Sequence, residues 1–168
     1  MKKTFRIGGV HPHDNKISAE AAIEVFPAIE TAYVSMAQHL GAPATPVVAV
    51  GDKVKVGQVI AEPSGFISAY VHSPVSGTVK SIGPRADIAG NMVPHVEITV
   101  EGDEWMEDID RSDRIISEIP YSPEEIIEKV KKAGVVGLGG ASFPTHAIHE
   151  VNFPPKPKIE EKPHEENV

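Results

Sequence analysis

Two valine-rich segments punctuated by glycine constrain this chain more than any other feature. The first runs Val50-Gly-Asp-Lys-Val-Lys-Val-Gly-Gln-Val-Ile-Ala-Glu62, and the second His72-Ser-Pro-Val-Ser-Gly-Thr-Val-Lys-Ser-Ile82. β-Branched side chains at this density favour extended backbone, and glycines between them permit tight turns. The pattern predicts a strand at Val47–Val50 and a turn at Gly51-Asp52, with Val54, Val56, Val59 and Ile60 buried around Gly57. A second turn is expected at Ser73–Gly77, and a strand from Thr78. Residues 65–72 alternate imperfectly. Pro94–Glu101 alternates cleanly, placing Val96, Ile98 and Val100 on one face.

These G-D-x-V-x-x-G-Q and S-P-x-x-G-x-V segments resemble the two halves of biotinyl/lipoyl-type barrel-sandwich domains. In such a domain two small sheets face each other over a valine and isoleucine interior. A carrier of that kind needs a lysine at the tip of the hairpin joining the halves. Here that stretch is Glu62-Pro-Ser-Gly-Phe-Ile-Ser-Ala-Tyr-Val-His72, which has no lysine. The resemblance therefore implies the fold without biotin or lipoate, as a scaffold or docking domain.

Charge and composition exclude several function classes. There are 16 basic and 24 acidic side chains, a net charge of −8, which argues against a general nucleic-acid binder and against docking on anionic lipid. No apolar run has the length of a membrane span. The basic start Met1-Lys2-Lys3 is not followed by an apolar stretch, so a signal peptide is not expected. The chain has no cysteine, which removes disulfides, thiol nucleophiles and thiolate-held iron–sulfur clusters.

Outside the module the pattern is mixed. Ser18-Ala-Glu-Ala-Ala-Ile-Glu24 is helix-forming, with Ser18 a fitting cap, until Pro27 interrupts it. Thr31–Met36 reads as strand or helix. Asp103–Asp113 is acidic and reads as a solvated linker. Ser122-Pro-Glu-Glu125 opens a helix: Ser122 caps, Pro123 suits the first helical position, and Glu125 completes a capping box. Ile126, Ile127, Val130 and Ala133 are its expected buried stripe, and Gly134 its end. Residues 152–168, rich in proline and charge, read as a disordered tail.

Gly134-Val-Val-Gly-Leu-Gly-Gly-Ala-Ser-Phe-Pro-Thr-His146 is the one segment suited to ligand binding. Gly137, Gly139 and Gly140 would let backbone N–H groups approach phosphate oxygens. Its spacing is not G-x-G-x-x-G and no clear strand precedes it, so on the residues alone a plain turn is the favoured reading and ligand binding the alternative. His11 and His13 lack a nearby third ligand, and His146 and His149 fit surface or phosphate-neighbouring roles better than metal. His39 and His72 are expected to serve the module's structure.

The glycine segment is similar to the G-x-G-G-A-x-F-P-T loop shared by the RnfC family, the C subunits of the Rnf-type ferredoxin:NAD⁺ oxidoreductases, and the NADH-binding flavoprotein subunit of respiratory complex I. Phe5-Arg-Ile-Gly-Gly-Val-His-Pro12, Gln38-His-Leu-Gly-Ala-Pro43 and Gly102-Asp-Glu-Trp105 resemble further segments of the RnfC family, in the same order. The resemblance spans residues 4 to 149 and favours strand at Thr31–Met36. It implies a mainly β chain in which a barrel-sandwich hybrid module precedes a helix and the start of an incomplete α/β nucleotide-binding domain. The implied division is 1–40, a segment packing on the module; 41–104, the module; 105–150, linker, helix and glycine loop; and 151–168, the tail.

The resemblance also implies a function. The chain would be the N-terminal fragment of an electron-transfer subunit in a membrane-associated, ion-translocating complex, or else a non-catalytic docking module of a larger redox assembly. Gly137, Gly139, Gly140, Ala141, Phe143 and Thr145 would line FMN or NAD(H). The family's two [4Fe–4S] clusters would have no ligands in this chain, which alone would be inactive. Partners would be the other proteins of an Rnf complex, holding the chain at the cytoplasmic, inner face of the cell membrane. The chain would be a truncated gene product, a split subunit or an excised piece of a longer one.

Overall fold

The computed structural model describes residues 15–115 and 117–152. Seven strands come first: β1 (Thr31–Ser35), β2 (Thr45–Pro46), β3 (Lys53–Val54), β4 (Val59–Glu62), β5 (Val71–His72), β6 (Gly77–Ala86) and β7 (Met92–Val100). Two helices follow, α1 (Pro123–Lys132) and α2 (Thr145–Asn152). The chain is mainly β, as the sequence predicts.

The strands form two antiparallel sheets, one in the order β1-β7-β6-β3 and the other β2-β4-β5. Thr31–Ser35 resolves as strand, pairing Ala32 with Ile98 and Val34 with Val96. Between the sheets lies one apolar core of Val34, Met36, Ala44, Val54, Ile60, Ala61, Val71, Val79, Val96 and Ile98. Met36, Ile60, Val96 and Ile98 are fully enclosed. The alternation on β7 is the period of two read from the sequence. On β6 the register shifts between Val79 and Ser81, leaving Lys80 as an extra residue. That bulge returns Ile82, three positions on, to the face that carries Val79, and both side chains reach the core.

Three expectations are corrected. The helix expected from Ser18 does not form. Residues 17–21 make a succession of tight turns, with Ala19 N–H bonded to Lys16 O and Ala21 N–H to Ser18 O, and residues 22–30 carry neither helix nor strand. Ile17, Ile23, Val25 and Phe26 lie almost wholly in solvent. A segment this short needs a surface to pack on to stay helical, and none is supplied. The strand at Val47–Val50 is likewise absent: pairing covers Thr45–Pro46, and Val47 extends it by one bond, its N–H to Ile60 O at 3.0 Å. The chain must then turn, because Asp52 Oδ2 accepts the Ala49 N–H at 2.8 Å and Gly51 takes φ +95°.

The third correction concerns α1. Its capping box is complete, with Glu125 N–H donating to Ser122 Oγ at 3.2 Å and Ser122 N–H to Glu125 Oε2 at 2.7 Å. Its apolar stripe, however, is not buried. Ile126 is exposed, Ile127 and Val130 are half-buried, and Ala133 is exposed. Capping is local and legible in the sequence; burial depends on what the rest of the fold places opposite.

The acidic segment after β7 is a linker only in part. Val56 N–H donates to Glu104 O at 2.8 Å and Met106 N–H to Val56 O at 3.0 Å, a parallel bridge at Trp105. Ile109 covers Gly57, where any Cβ would collide with it. The carboxylates of Asp103, Glu104, Glu107, Asp108 and Asp110 stay exposed. The expected tail at 152–168 falls almost wholly outside the described residues.

Candidate functional site

The glycine segment folds as a small hairpin between the two helices. Gly134, at φ +64°, turns the chain out of α1. Val136 then bridges antiparallel to Pro144, Gly137 N–H donates to Phe143 O at 2.9 Å, and Thr145 N–H donates to Val135 O at 3.0 Å. Residues 138–142 are the tip of this hairpin, and α2 begins directly after its stem.

All six candidate residues therefore lie in one element, in different settings. Gly139, Gly140 and Ala141 are exposed at the tip beside Leu138, which is 100% exposed. Gly137 and Phe143 are half-buried in the stem, and Thr145 opens α2. The amides of Gly137, Thr145 and Ala147 are engaged inside the hairpin and the helix start, the last by Pro144 O at 3.1 Å. The tip, more than the helix N-terminus, is thus the part that can present N–H groups outward. Pro144, His146 and Ala147 are buried beneath it.

The reasons for glycine differ along the loop. Gly140 has φ +105°, a left-handed conformation costly to residues with a Cβ. At Gly139 a Cβ would meet nothing within 4 Å, and the φ lies outside the left-handed range. Nothing among the described residues requires glycine there. A close approach from outside would, and a ligand lying against the loop is such an approach. Ser142 carries φ +46°, the one non-glycine left-handed residue among those described.

The hairpin is anchored on the module. Any Cβ on Gly134 would collide with Tyr70 O and press on His72. His72 is in contact with the backbone of Lys132, and partial burial pushes its pKa below the ordinary imidazole value, with the Lys132 hydrogen bond opposing that shift. At the far end, Leu40 N–H donates to Ser142 O at 3.3 Å. Leu40 belongs to Gln38–Pro43, which clasps the tip of the hairpin between β4 and β5. Gly41, at φ +105°, lies against Ile67, and Ala42 N–H donates to Ile67 O at 3.1 Å. Ser68 Oγ donates to Ala42 O at 2.9 Å and Ser64 Oγ to Pro43 O at 2.6 Å. The place where a carrier domain displays its lysine is thus held down by the chain's own backbone.

His39 and His72 do serve the module's structure, as expected. Reasoning from the sequence missed the tie from Leu40 to Ser142. Gln38–Pro43 carried a signal, a glycine followed by a proline after a histidine, but nothing local says what it meets a hundred residues later.

A separate open groove of about 460 Å³ is lined by residues that include Lys53, Lys55, Gln58, Ser76, Glu101 and Glu104. Lys53 is ion-paired with Glu101, so its charge is already compensated. Among the described residues no group of three or more His, Asp or Glu side chains is placed to hold a metal. His11 and His13 lie outside those residues. No described helix is long and apolar enough to cross a membrane.

Comparison with known proteins places these features in context. The family profile described as the RnfC barrel sandwich hybrid domain matches residues 3–104. The chain is 40% identical over 162 residues, 95% of its length, to the C subunit of the proton-translocating ferredoxin:NAD(+) oxidoreductase complex of Clostridium ljungdahlii. It is 39% identical over 159 residues, 94% of its length, to the C subunit of the Na(+)-translocating ferredoxin:NAD(+) oxidoreductase complex of Acetobacterium woodii. With the C subunit of the ion-translocating oxidoreductase complex of Rhodobacter capsulatus it shares 38% identity over 144 residues, 82% of the chain. The matched part is 34% of the first two relatives and 27% of the third, so the chain spans about a third of their length or less.

Proposed function

The chain belongs to the RnfC barrel-sandwich hybrid family, and from that premise we propose that it is the N-terminal part of an electron-transfer subunit in a membrane-associated, ion-translocating ferredoxin:NAD⁺ oxidoreductase complex. The observation that supports this most is the coupling of two features. A barrel-sandwich module with its carrier tip clasped shut is joined, through Gly134 and Leu40, to an exposed glycine hairpin. A docking module alone has no need of that hairpin.

In this reading Gly137, Gly139, Gly140, Ala141, Phe143 and Thr145 line a site for FMN or NAD(H). The residues fit such a group: Gly139 gives room that the fold does not use, and the exposed tip can present backbone N–H groups to a phosphate. When bound, the cofactor supplies the redox chemistry. The chain's part is to bind and orient. Gly140 and Ser142 set the turn, Phe143 and Pro144 support it from below, and Gly139 keeps its outer surface clear. One exposed loop cannot enclose a nucleotide, since such pockets surround most of their ligand. The remaining walls come from the rest of an α/β domain, against which the incompletely buried stripe of Ile126, Ile127 and Val130 would pack.

The proposal extends to the setting. The module, residues 41–104 together with β1 and Met36, is the docking part, and residues 105–150 begin the nucleotide-binding part. Partner proteins of the complex hold both at the inner face of the cell membrane. Iron–sulfur clusters cannot be held through thiolates by a chain without cysteine, so they belong to other segments or partners. The alternative, a docking module with no cofactor contact, is favoured by the complete core of residues 31–100 and by the exposure of residues 138–141. Photo-crosslinking separates the two. A crosslinker at Leu138 in an assembled complex should capture a flavin or nicotinamide nucleotide under the first reading, and only protein under the second.

A further inference from the structure

We propose that His39 is a positioning residue for the glycine loop, acting through Leu40 on Ser142. The proposal deepens the reading above and rests on it for its functional consequence. His39 Nδ1 faces Leu40 O at 3.1 Å, and its Nε2 faces the Ala69 N–H at 3.1 Å. An amide can only donate and a carbonyl can only accept. The ring must therefore carry its proton on Nδ1 and accept on Nε2, which fixes both its tautomer and its plane.

So fixed, the imidazole spans thirty positions of sequence and pins the 39–42 turn to the clasped hairpin tip. Gly41 cannot drift, because it is packed against Ile67 on the same tip. Between these two anchors the Leu40 N–H is aimed at Ser142 O, at 3.3 Å. Ser142 is the strained left-handed residue of the loop, at φ +46°. Such a conformation persists only where its surroundings over-determine it. Two bonds close the loop on either side, Gly137 N–H to Phe143 O and Leu40 N–H to Ser142 O. The first is internal to the hairpin and cannot orient it relative to the module. The second can, and its donor residue, Leu40, is held at its carbonyl oxygen by His39. Replacing His39 leaves the core residues Val96 and Ile98 untouched, so the expected defect is one of loop geometry.

The test uses the ¹⁵N-labelled 168-residue chain. Amide exchange is followed in the wild type, His39→Ala and His39→Gln, and each is titrated with FMN to millimolar concentration while the loop amide signals are watched. In the wild type the Leu40 amide should be protected; free exchange there would by itself overturn the proposal, even if His39→Ala failed to fold. His39→Ala should speed exchange at Leu40 and at Gly137 by about tenfold. It should also weaken the FMN-induced shifts at Gly139 and Gly140. His39→Gln, whose amide can donate and accept across a similar span, should restore both. Faster exchange confined to Ala69 and residues 39–42, with the loop amides and FMN shifts unchanged, would reduce His39 to a local structural role and overturn the proposal. Loosened loop amides in a chain whose wild-type signals do not respond to FMN would uphold the positioning role, and the cofactor reading is then decided by the Leu138 crosslink in the assembled complex, where the other walls of the pocket are present.

Discussion

Gly134 sits against the carbonyl oxygen of Tyr70 so closely that no side chain fits between them. Its φ of +64° already favours glycine. The contact fastens the end of α1 to the last turn of the carrier-like hairpin, and so sets where the glycine loop begins. Gly134→Ala should cost about 2 kcal/mol, from left-handed strain and the displaced carbonyl together. Hydrogen exchange should show α1 and α2 loosened while the amides of Val96 and Ile98 keep their protection. Equal loss of protection in both regions would mean that the helices and the module unfold as one unit.

The module's stability should rest on a few enclosed side chains. Ile98 is fully buried between the sheets, and Ile98→Ala should destabilise the chain by about 3 kcal/mol in urea unfolding. Val47, which the sequence also suggests for a strand, is 51% exposed. Val47→Ala should therefore change stability by less than about 0.5 kcal/mol. Comparable losses at the two positions would contradict the register described above.

The contrast between Ile98 and Val47 shows where the sequence is informative. A period of two with β-branched residues marked out β7, and Ser122 with Glu125 marked the start of α1, because each signal acts over a few neighbouring residues. The missing lysine between Glu62 and His72 was equally readable. Ser18–Glu24 has helix propensity and no helix, because nothing packs on it. Ile126 and Val130 have helical spacing, yet Ile126 stays exposed and Val130 only half-buried, for the same reason. The candidate loop was visible as glycines, but its tethers were not. Leu40 and Ser142, or Gly134 and Tyr70, meet only after the sheets have formed.

Acid should loosen the helix anchor before it affects the sheet. Burial lowers the His72 pKa from 6.5, so the unfolded chain takes up this proton at a higher pH than the folded one. The stability tied to neutral His72 is fully present above 6.5 and is lost as pH falls through the lowered folded value. Glu97 is held below its ordinary value of 4.5, first by its hydrogen bond from Lys80, so its contribution is lost only at more acid pH. Thermal melts between about pH 7.5 and 5 should thus show a decline that His72→Gln removes. A decline that survives in His72→Gln would assign it to another group.

The clasped tip should also be chemically inert. Co-expression with biotin or lipoate ligases should leave the intact mass of the chain unchanged, since the Glu62–His72 hairpin offers no lysine and Gly41 lies against Ile67. A mass increment matching either group would mean that a lysine elsewhere is presented as a carrier lysine is, and would overturn the scaffold reading of the module.

The role proposed for the glycine loop is electron transfer in a complex of this family. It is tested most directly in a chimaera in which residues 1–152 replace the matching N-terminal third of the RnfC-family relative in the Clostridium ljungdahlii complex. Ferredoxin-dependent NAD⁺ reduction is then measured on the purified, fully assembled complex, with and without Gly139→Leu. A Cβ at Gly139 meets nothing among the described residues, so the substitution should leave folding and assembly intact. The account predicts activity in the chimaera and a fall of at least about a hundredfold in the Gly139→Leu form, because a side chain then stands where the ligand must approach the backbone. Undiminished activity in an assembled Gly139→Leu complex would remove the loop from the electron path and leave the chain as a docking module.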